Sequence, residues 1–212
     1  GELLQVAINN QSSDVLFLTN TPPIQAILRT RLGPVSDKPN DSSYIQWVER
    51  LETIFESQLK RKSTYLKIRF IDAQGQELVN VSREGPELIR VRGKQLQNKA
   101  HRPYVRDTLK LPVESVYVSE INLNREFGEV VSPHQEVLRT ATPVYDERTG
   151  EVAGLVIIAV EIGHKLHSIQ KGAQDKSGSE IYITNDHGGY LIHPDVSKTY
   201  GFDQGKRYRV QE

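Results

Sequence analysis

The sequence contains no cysteine. That excludes a disulfide framework, a thiolate zinc site and a thiol nucleophile. Methionine is absent too, even at the first position, so the chain is expected to be a fragment or a processed form. Neither sign of charge is in excess: Lys plus Arg and Asp plus Glu number 27 each. Zero net charge gives no electrostatic reason to expect nucleic acid or an anionic membrane surface as partner. Long apolar runs are also lacking. The longest, Leu155 to Val160, falls far short of the roughly 20 residues of a membrane-spanning helix, and no signal peptide is visible. A membrane anchor is therefore expected outside these residues. There is no nucleotide-binding glycine loop, HExxH, GxSxG or kinase motif, and no cofactor is expected.

What is present is a stock of Val, Ile and Leu in 212 residues, enough for a real core. The first third reads as helix. Leu3, Leu4, Ala7, Ile8, Val15 and Leu18 follow a rough helical period, interrupted by the polar patch Asn9 to Asp14. Thr21 precedes Pro22 and Pro23, a cap followed by prolines suited to a first turn, and a short helix to Arg31 follows. Gly33 to Ser42 reads as a loop. Ser43 and Gln46 form a capping box. The stripe Tyr44, Trp47, Val48, Leu51, Ile54 and Phe55 then marks a helix whose tryptophan packs inward.

At Tyr65 the period changes to two. Tyr65 to Ile71 and Gln76 to Val81 read as strands around the turn Asp72 to Gly75. A polar stretch leads to a helical segment from Leu96 to about Leu109. Three more strand-like runs follow, Ser115 to Ile121, Val137 to Tyr145 and Val152 to Glu161, the last two joined by a hairpin turn at Asp146 to Gly150. The expectation is an α+β fold with an antiparallel sheet of about five strands. After a Gly, Lys and Ser-rich linker, Gly172 to Ser179, the strand pair Glu180 to Thr184 and Tyr190 to His193 repeats the opening of the sheet. It is read as a smaller second module. The expected divisions are residues 1–60, helical; 61–171, the main module; and 172–212, the partial one.

Two groupings could carry chemistry. Arg102 and Tyr104 sit at a helix that precedes a strand carrying Tyr117 and Ser119 on one face, with Arg139 on a later strand. Guanidinium forks grip carboxylates in a bidentate way, and tyrosines give apolar walls with a polar tip. The alternative is an internal ion pair for Arg139 and ordinary packing for the tyrosines. The second grouping is His187, His193 and Asp195, which could bind metal across a hairpin and serve a metal-assisted hydrolase. A His-Pro pair at a strand end is more often structural, and further ligands are not evident, so no metal site is expected.

Five stretches resemble the periplasmic double Cache (PDC, PAS-like) sensor regions of bacterial histidine kinases and diguanylate cyclases. They are FLTNTPPIQAILR from Phe17, YLKIRFIDAQGQELVNV from Tyr65, LQNKAHRPY from Leu96, VYVSEINLNREFGEVVSPHQEVLRTATP from Val116 and YITNDHGGYLIHPDVSKTYG from Tyr182. The resemblance implies a long N-terminal helix continuing from a first membrane span, a PAS-like distal module holding a ligand pocket, a membrane-proximal module and a cytoplasmic kinase or cyclase. It implies a periplasmic, membrane-anchored, non-catalytic region that binds a small carboxylate or amino-acid-like molecule and forms a homodimer through its N-terminal helix. A ligand-free dimerisation module is the other possibility. Amino-acid-binding relatives carry Arg-x-Trp-Tyr at the pocket helix and an Asp on a later strand. Here Arg102 matches the Arg, Tyr104 replaces the Trp and Val105 the Tyr. The Asp falls near Ala159, with Glu161 two residues on along the same face.

Overall fold

A computed structural model describes residues 2–31 and 42–210; of Glu2, Leu3 and Ser177 it describes the backbone alone. Most of the expected loop, Gly33 to Ser42, lies outside the described residues. The chain forms two compact units. The first comprises residues 1–118 and 139–160, the second 119–138 and 161–212. Each is therefore assembled from two stretches of sequence, not from the contiguous blocks that the sequence suggests.

In the first unit, α1 (Glu2–Thr19), α2 (Pro22–Arg31) and α3 (Tyr44–Arg61) precede the sheet. The polar patch in α1 does not interrupt it. Gln11, Val15 and Leu18 are buried along one face of a continuous helix, and the Thr140 hydroxyl donates to the buried Gln11 side chain. The capping box of α3 forms as expected: Ser43 N–H donates to Gln46 Oε1 at 2.8 Å and Gln46 N–H to Ser43 Oγ at 3.4 Å. Trp47, Leu51, Phe55 and Leu59 are buried at four-residue steps.

Strands β1 (Tyr65–Asp72), β2 (Glu77–Glu84) and β3 (Glu87–Val91) are followed by the short helix α4 (Pro103–Thr108). Then come β4 (Tyr117–Val118), β5 (Asn122–Leu123), β6 (Arg125–Glu126), β7 (Glu129–Val130), β8 (Glu136–Tyr145) and β9 (Val152–Glu161). The sheet order is β3-β2-β1-β9-β8-β4, with antiparallel pairing at β3/β2, β2/β1, β1/β9 and β4/β8. The antiparallel α+β arrangement is as the sequence suggests. β5 pairs with β8 beside this path, so the sheet has seven strands, two more than the five expected: β5, and β3, an edge strand of mixed charge and apolar residues that reads as polar. Such charges suit an edge, where they discourage further pairing.

The central strand β1 is buried along its whole length, so it faces two layers. Ile68 and Phe70, with Val79, Val81, Val156 and Ile158, pack under α1, α2 and α3. Ile71, Leu155, Ile157 and Ala141 face the other way and pack with Tyr104 and Val105 of α4. This second layer is thinner than the sequence suggests. The segment expected to be helical from Leu96 to Leu109 is non-helical until Pro103, with a turn at Ala100 and His101, and α4 spans six residues. Proline lacks an N–H and disfavours helix in the residue before it, so the helix starts there.

The second unit carries α5 (Gly163–Ser177), β10 (Ile183–Thr184) and β11 (Tyr190–Ile192), besides β5, the β6–β7 hairpin and the first residues of β8. The expected linker at Gly172 is the end of α5. That helix continues to a left-handed Gly178 (φ 64°), whose freedom at positive φ stops it. The expected turn at Asn185 to Gly189 joins β10 and β11. Asp203 accepts the Leu123 N–H at 2.6 Å and pairs with Arg125 at 3.3 Å, tying the unit's two stretches together. Among the described residues no helix is long and apolar enough to cross a membrane.

A buried arginine and tyrosine cluster as candidate functional site

The alternation of β1 puts Lys67 and Arg69 on the α4 face of the sheet. Both are buried. Arg69 stands opposite Asn80 on β2 and opposite Ile157 on β9, while Lys67 stands opposite Ser82 and Ala159. Arg139 and Ala141 come from β8, and Tyr117 pairs with Ala141. This is the floor of the candidate site.

The roof is the non-helical segment before α4. Lys99 N–H donates to Gly75 carbonyl at 2.7 Å, and Gln97 N–H to Glu77 Oε2 at 3.0 Å. Gly75 permits this closeness, since a Cβ there would meet the Ala100 backbone at 2.5 Å. Arg102 then takes an extended conformation and α4 begins at Pro103, delivering Tyr104 onto the floor.

Tyr104 is the centre of the site. The guanidinium carbons of Arg69, Arg102 and Arg139 lie 5.6, 5.7 and 5.5 Å from its ring centroid, within cation–π range. Arg69 Nη1 donates to the Tyr104 hydroxyl at 3.4 Å and to Glu77 Oε1 at 3.1 Å. Glu77 also accepts from Asn80 Nδ2 at 3.2 Å. Burial alone would push the Tyr104 ionisation up. The charges of Arg69, Arg139 and Lys99 overcome this and hold it below the usual tyrosine range. The site thus gathers buried cations around one ring, with Glu77 paired to Arg69. Such a place suits an anionic group that can accept hydrogen bonds from guanidinium forks.

Of the residues singled out in the sequence, the structure brings together Arg102, Tyr104 and Arg139, with Tyr117 packed against the cluster that includes Tyr104. Ser119 and Glu161 fall in the second unit. The Ser119 hydroxyl donates to the Glu120 carbonyl at 2.7 Å, and Glu161 accepts the Gly163 N–H at 2.7 Å at the start of α5. Arg69, Lys67, Lys99 and Glu77 escape the sequence reading. Their signal is present: two cations alternate with Leu66, Ile68 and Phe70 in a strand with strong neighbours on both sides, and a central strand has no solvent face for them.

His187, His193 and Asp195 each serve the second unit locally. His187 Nε2 lies 3.1 Å from Glu120 Oε1. The His193 ring packs edge-on against Tyr190 and Tyr182, and its Nδ1 accepts the Asp195 N–H at 2.9 Å. Asp195 caps the turn at Val196–Lys198 through Ser197. Among the described residues no three of His, Cys, Asp or Glu gather to hold a metal.

The family of bacterial histidine kinase sensor domains matches residues 40–211. No curated protein matches the chain. Solved structures do. The domain of a putative sensory box/GGDEF family protein from Vibrio parahaemolyticus is 23% identical with TM-score 0.68, over 95% of this chain and 73% of that one. The extracellular domain of the putative histidine kinase vpHK1S-Z8 is 24% identical with TM-score 0.67, over 95% and 70%. The ligand-binding domain of the Pseudomonas fluorescens chemoreceptor CtaA, solved with L-serine, is 14% identical with TM-score 0.52, over 93% and 68%. These likenesses are of fold, that of Cache-like (PDC) sensor domains. With most of the chain covered by one family description, this protein belongs to the bacterial histidine kinase sensor domains.

Proposed function

We propose that the first unit binds a small molecule through a carboxylate, at the cluster of Arg69, Arg102, Arg139 and Tyr104. The observation that carries this reading is the convergence of three guanidinium groups on one buried tyrosine ring. Burying cations is costly unless they are paired, and Glu77 pairs with Arg69. A ligand carboxylate between Arg102 and Arg139 accepts hydrogen bonds from two guanidinium forks. Tyr104 and Tyr117 wall the site. The L-serine bound by the CtaA domain is a carboxylate of this size, which supports the class without fixing the ligand.

In this reading the chain is the periplasmic part of a membrane-anchored receptor, works as a homodimer through α1, and passes occupancy to a cytoplasmic kinase or cyclase. Val6 and Phe17 of α1 are 51% and 67% exposed, an apolar surface that suits a second protomer. A thermal-shift screen with small carboxylates and amino acids tests the proposal. A ligand that binds only the native state raises the melting temperature. Stabilisation by carboxylates that is lost with Arg102→Ala supports the site. A protein that no carboxylate stabilises, but which dimerises, supports a ligand-free module instead.

A further inference from the structure

The second unit holds a cavity of about 510 Å³, bordered among others by Glu136, His167, His193, Thr199, Tyr200 and Lys206. That volume falls in the range of roughly 300–1,000 Å³ common to small-molecule sites. Two carboxylates converge beside it. A Cβ on Gly163, at the start of α5, would stand 2.1 Å from Glu136 Oε2 and 2.8 Å from Glu161 Oε1, so both carboxylates gather at this glycine. Among the described residues neither carboxylate has a cationic side chain within ion-pair distance. Two like charges held this way favour a cation between them.

A second, independent observation points to a ligand. Tyr200 lines the same cavity and is 1% exposed, yet its hydroxyl has no hydrogen-bond partner. Buried hydroxyls normally find one. Burial and the charges of Glu136, Glu161 and Asp203 hold its ionisation above the usual tyrosine range, so it remains a neutral hydroxyl facing carboxylates.

We propose that this cavity is a second ligand site, for a small organic amine whose ammonium group lies between Glu136, Glu161 and the Tyr200 hydroxyl. An ammonium offers three donors, which matches two carboxylates and a hydroxyl oxygen. A metal ion fits less well, since no three acidic or imidazole groups gather to hold one among the described residues. The His193 ring, packed edge-on against Tyr190 at 4.6 Å between centroids, gives the carbon part of the amine an apolar wall. The site lies in a different unit from the arginine cluster and is built on carboxylates instead of guanidinium groups, so the two proposals stand or fall separately.

The test is calorimetric titration of the whole 212-residue chain with ethanolamine and with n-butylamine. Both are expected to bind. Glu136→Gln, nearly isosteric, is expected to weaken binding at least about tenfold, as loss of a charge-assisted hydrogen bond does. Tyr200→Phe removes an unpartnered hydroxyl. It is expected to leave the free protein at least as stable, while weakening amine binding. A purely structural tyrosine would not show that split. Acetate titrated in parallel should follow Arg102→Ala and ignore Glu136→Gln. The proposal is overturned if neither amine binds at millimolar concentration, if Glu136→Gln binds them as tightly as the parent, or if amine binding is lost with Arg102→Ala instead.

Discussion

Arg69 and Glu77 form an ion pair at 3.1 Å with side-chain exposures of 5% and 1%. The bulge that shifts the β1/β2 register between Phe70 and Ile71 sets Glu77 opposite Ile71, one step out of the regular ladder. Glu77 thereby reaches Arg69, Asn80 and the Gln97 N–H together. One carboxylate thus joins the floor of the candidate site to its roof.

Glu77→Ala should therefore destabilise strongly. Removing one partner of a buried pair leaves the other charge uncompensated and costs about 3–5 kcal/mol. Urea denaturation measures it. Replacing both members, Arg69→Met with Glu77→Leu, should recover much of that loss, because apolar groups of similar volume need no partner. A single substitution that costs under about 1 kcal/mol would mean that water reaches the pair and screens it, as at exposed ion pairs.

Tyr104 makes the positive potential measurable. Its ionisation in the fold lies below the value near 10 of an unfolded tyrosine. The sign follows from linkage: the fold binds the phenolate better, so the stability it contributes is present above pH about 10 and is lost as pH falls through the lower folded value. An alkaline titration followed by phenolate absorbance should show a component that ionises early and vanishes in Tyr104→Phe. A carboxylate ligand brings a negative charge to the same arginines and should move that component to higher pH. No early component would count against three cations acting on the ring.

Gly75 holds the roof. Its φ is 81° and its Cβ position is occupied by the backbone of Ala100. Gly75→Ala meets both a left-handed backbone penalty of about 1–2 kcal/mol and overpacking of about 1–3 kcal/mol. Because Lys99 N–H bonds to the Gly75 carbonyl, displacement should carry Lys99 and Arg102 with it. Melting temperature and carboxylate affinity should fall together. A stable variant with unchanged affinity would detach the turn from the site.

Much of this was legible in the sequence. The capping box at Ser43, the stripe from Trp47 to Phe55, and the period-2 runs at Tyr65, Val137 and Val152 all report local physics, and the structure keeps them. What was hidden depends on neighbours. Whether Lys67 and Arg69 face water or a second layer is decided by α4 packing on the sheet, and α4 is too short to give a periodic signal. The division of the chain was hidden for the same reason. Asp203 bonds to Leu123 and Arg125 across about 80 residues of sequence, a distance that no local pattern spans. Arg102 and Tyr104 stood out in the sequence as a guanidinium and a ring flanking Pro103, whereas no local pattern marks Glu77.

The first helix can be tested for self-association without touching the core. Truncating it as far as Leu18 would remove Gln11, Val15 and Leu18, which are buried in the first unit, so truncation confuses two effects. Val6→Asp with Phe17→Asp changes exposed positions alone. Sedimentation should then show a weaker dimer, with the unfolding midpoint nearly unchanged, since surface substitutions usually stay within about 0.5 kcal/mol. If the doubly substituted chain dimerises as the parent does, the interface lies elsewhere.

Arg102 separates binding from folding. It precedes α4 as the residue at its N-terminal boundary, yet its side chain makes no capping hydrogen bond. It is half-buried, whereas Arg139 is 3% exposed. Arg102→Ala should therefore leave the free protein almost as stable as the parent. A charge-assisted hydrogen bond to a ligand carboxylate contributes about 1.5–3 kcal/mol, so affinity should fall about ten- to a hundredfold. Arg139→Ala should lower affinity and also stability, because truncating a buried side chain leaves its neighbours without their contacts. Calorimetric titration with a carboxylate found in the screen gives the first quantity, and thermal unfolding without ligand gives the second. If Arg102 is structural, the pattern reverses: the variant loses stability, and the molecules that still fold bind with parental affinity. That result would move the carboxylate away from Arg102 while leaving Arg69 and Arg139 as its remaining partners on the sheet.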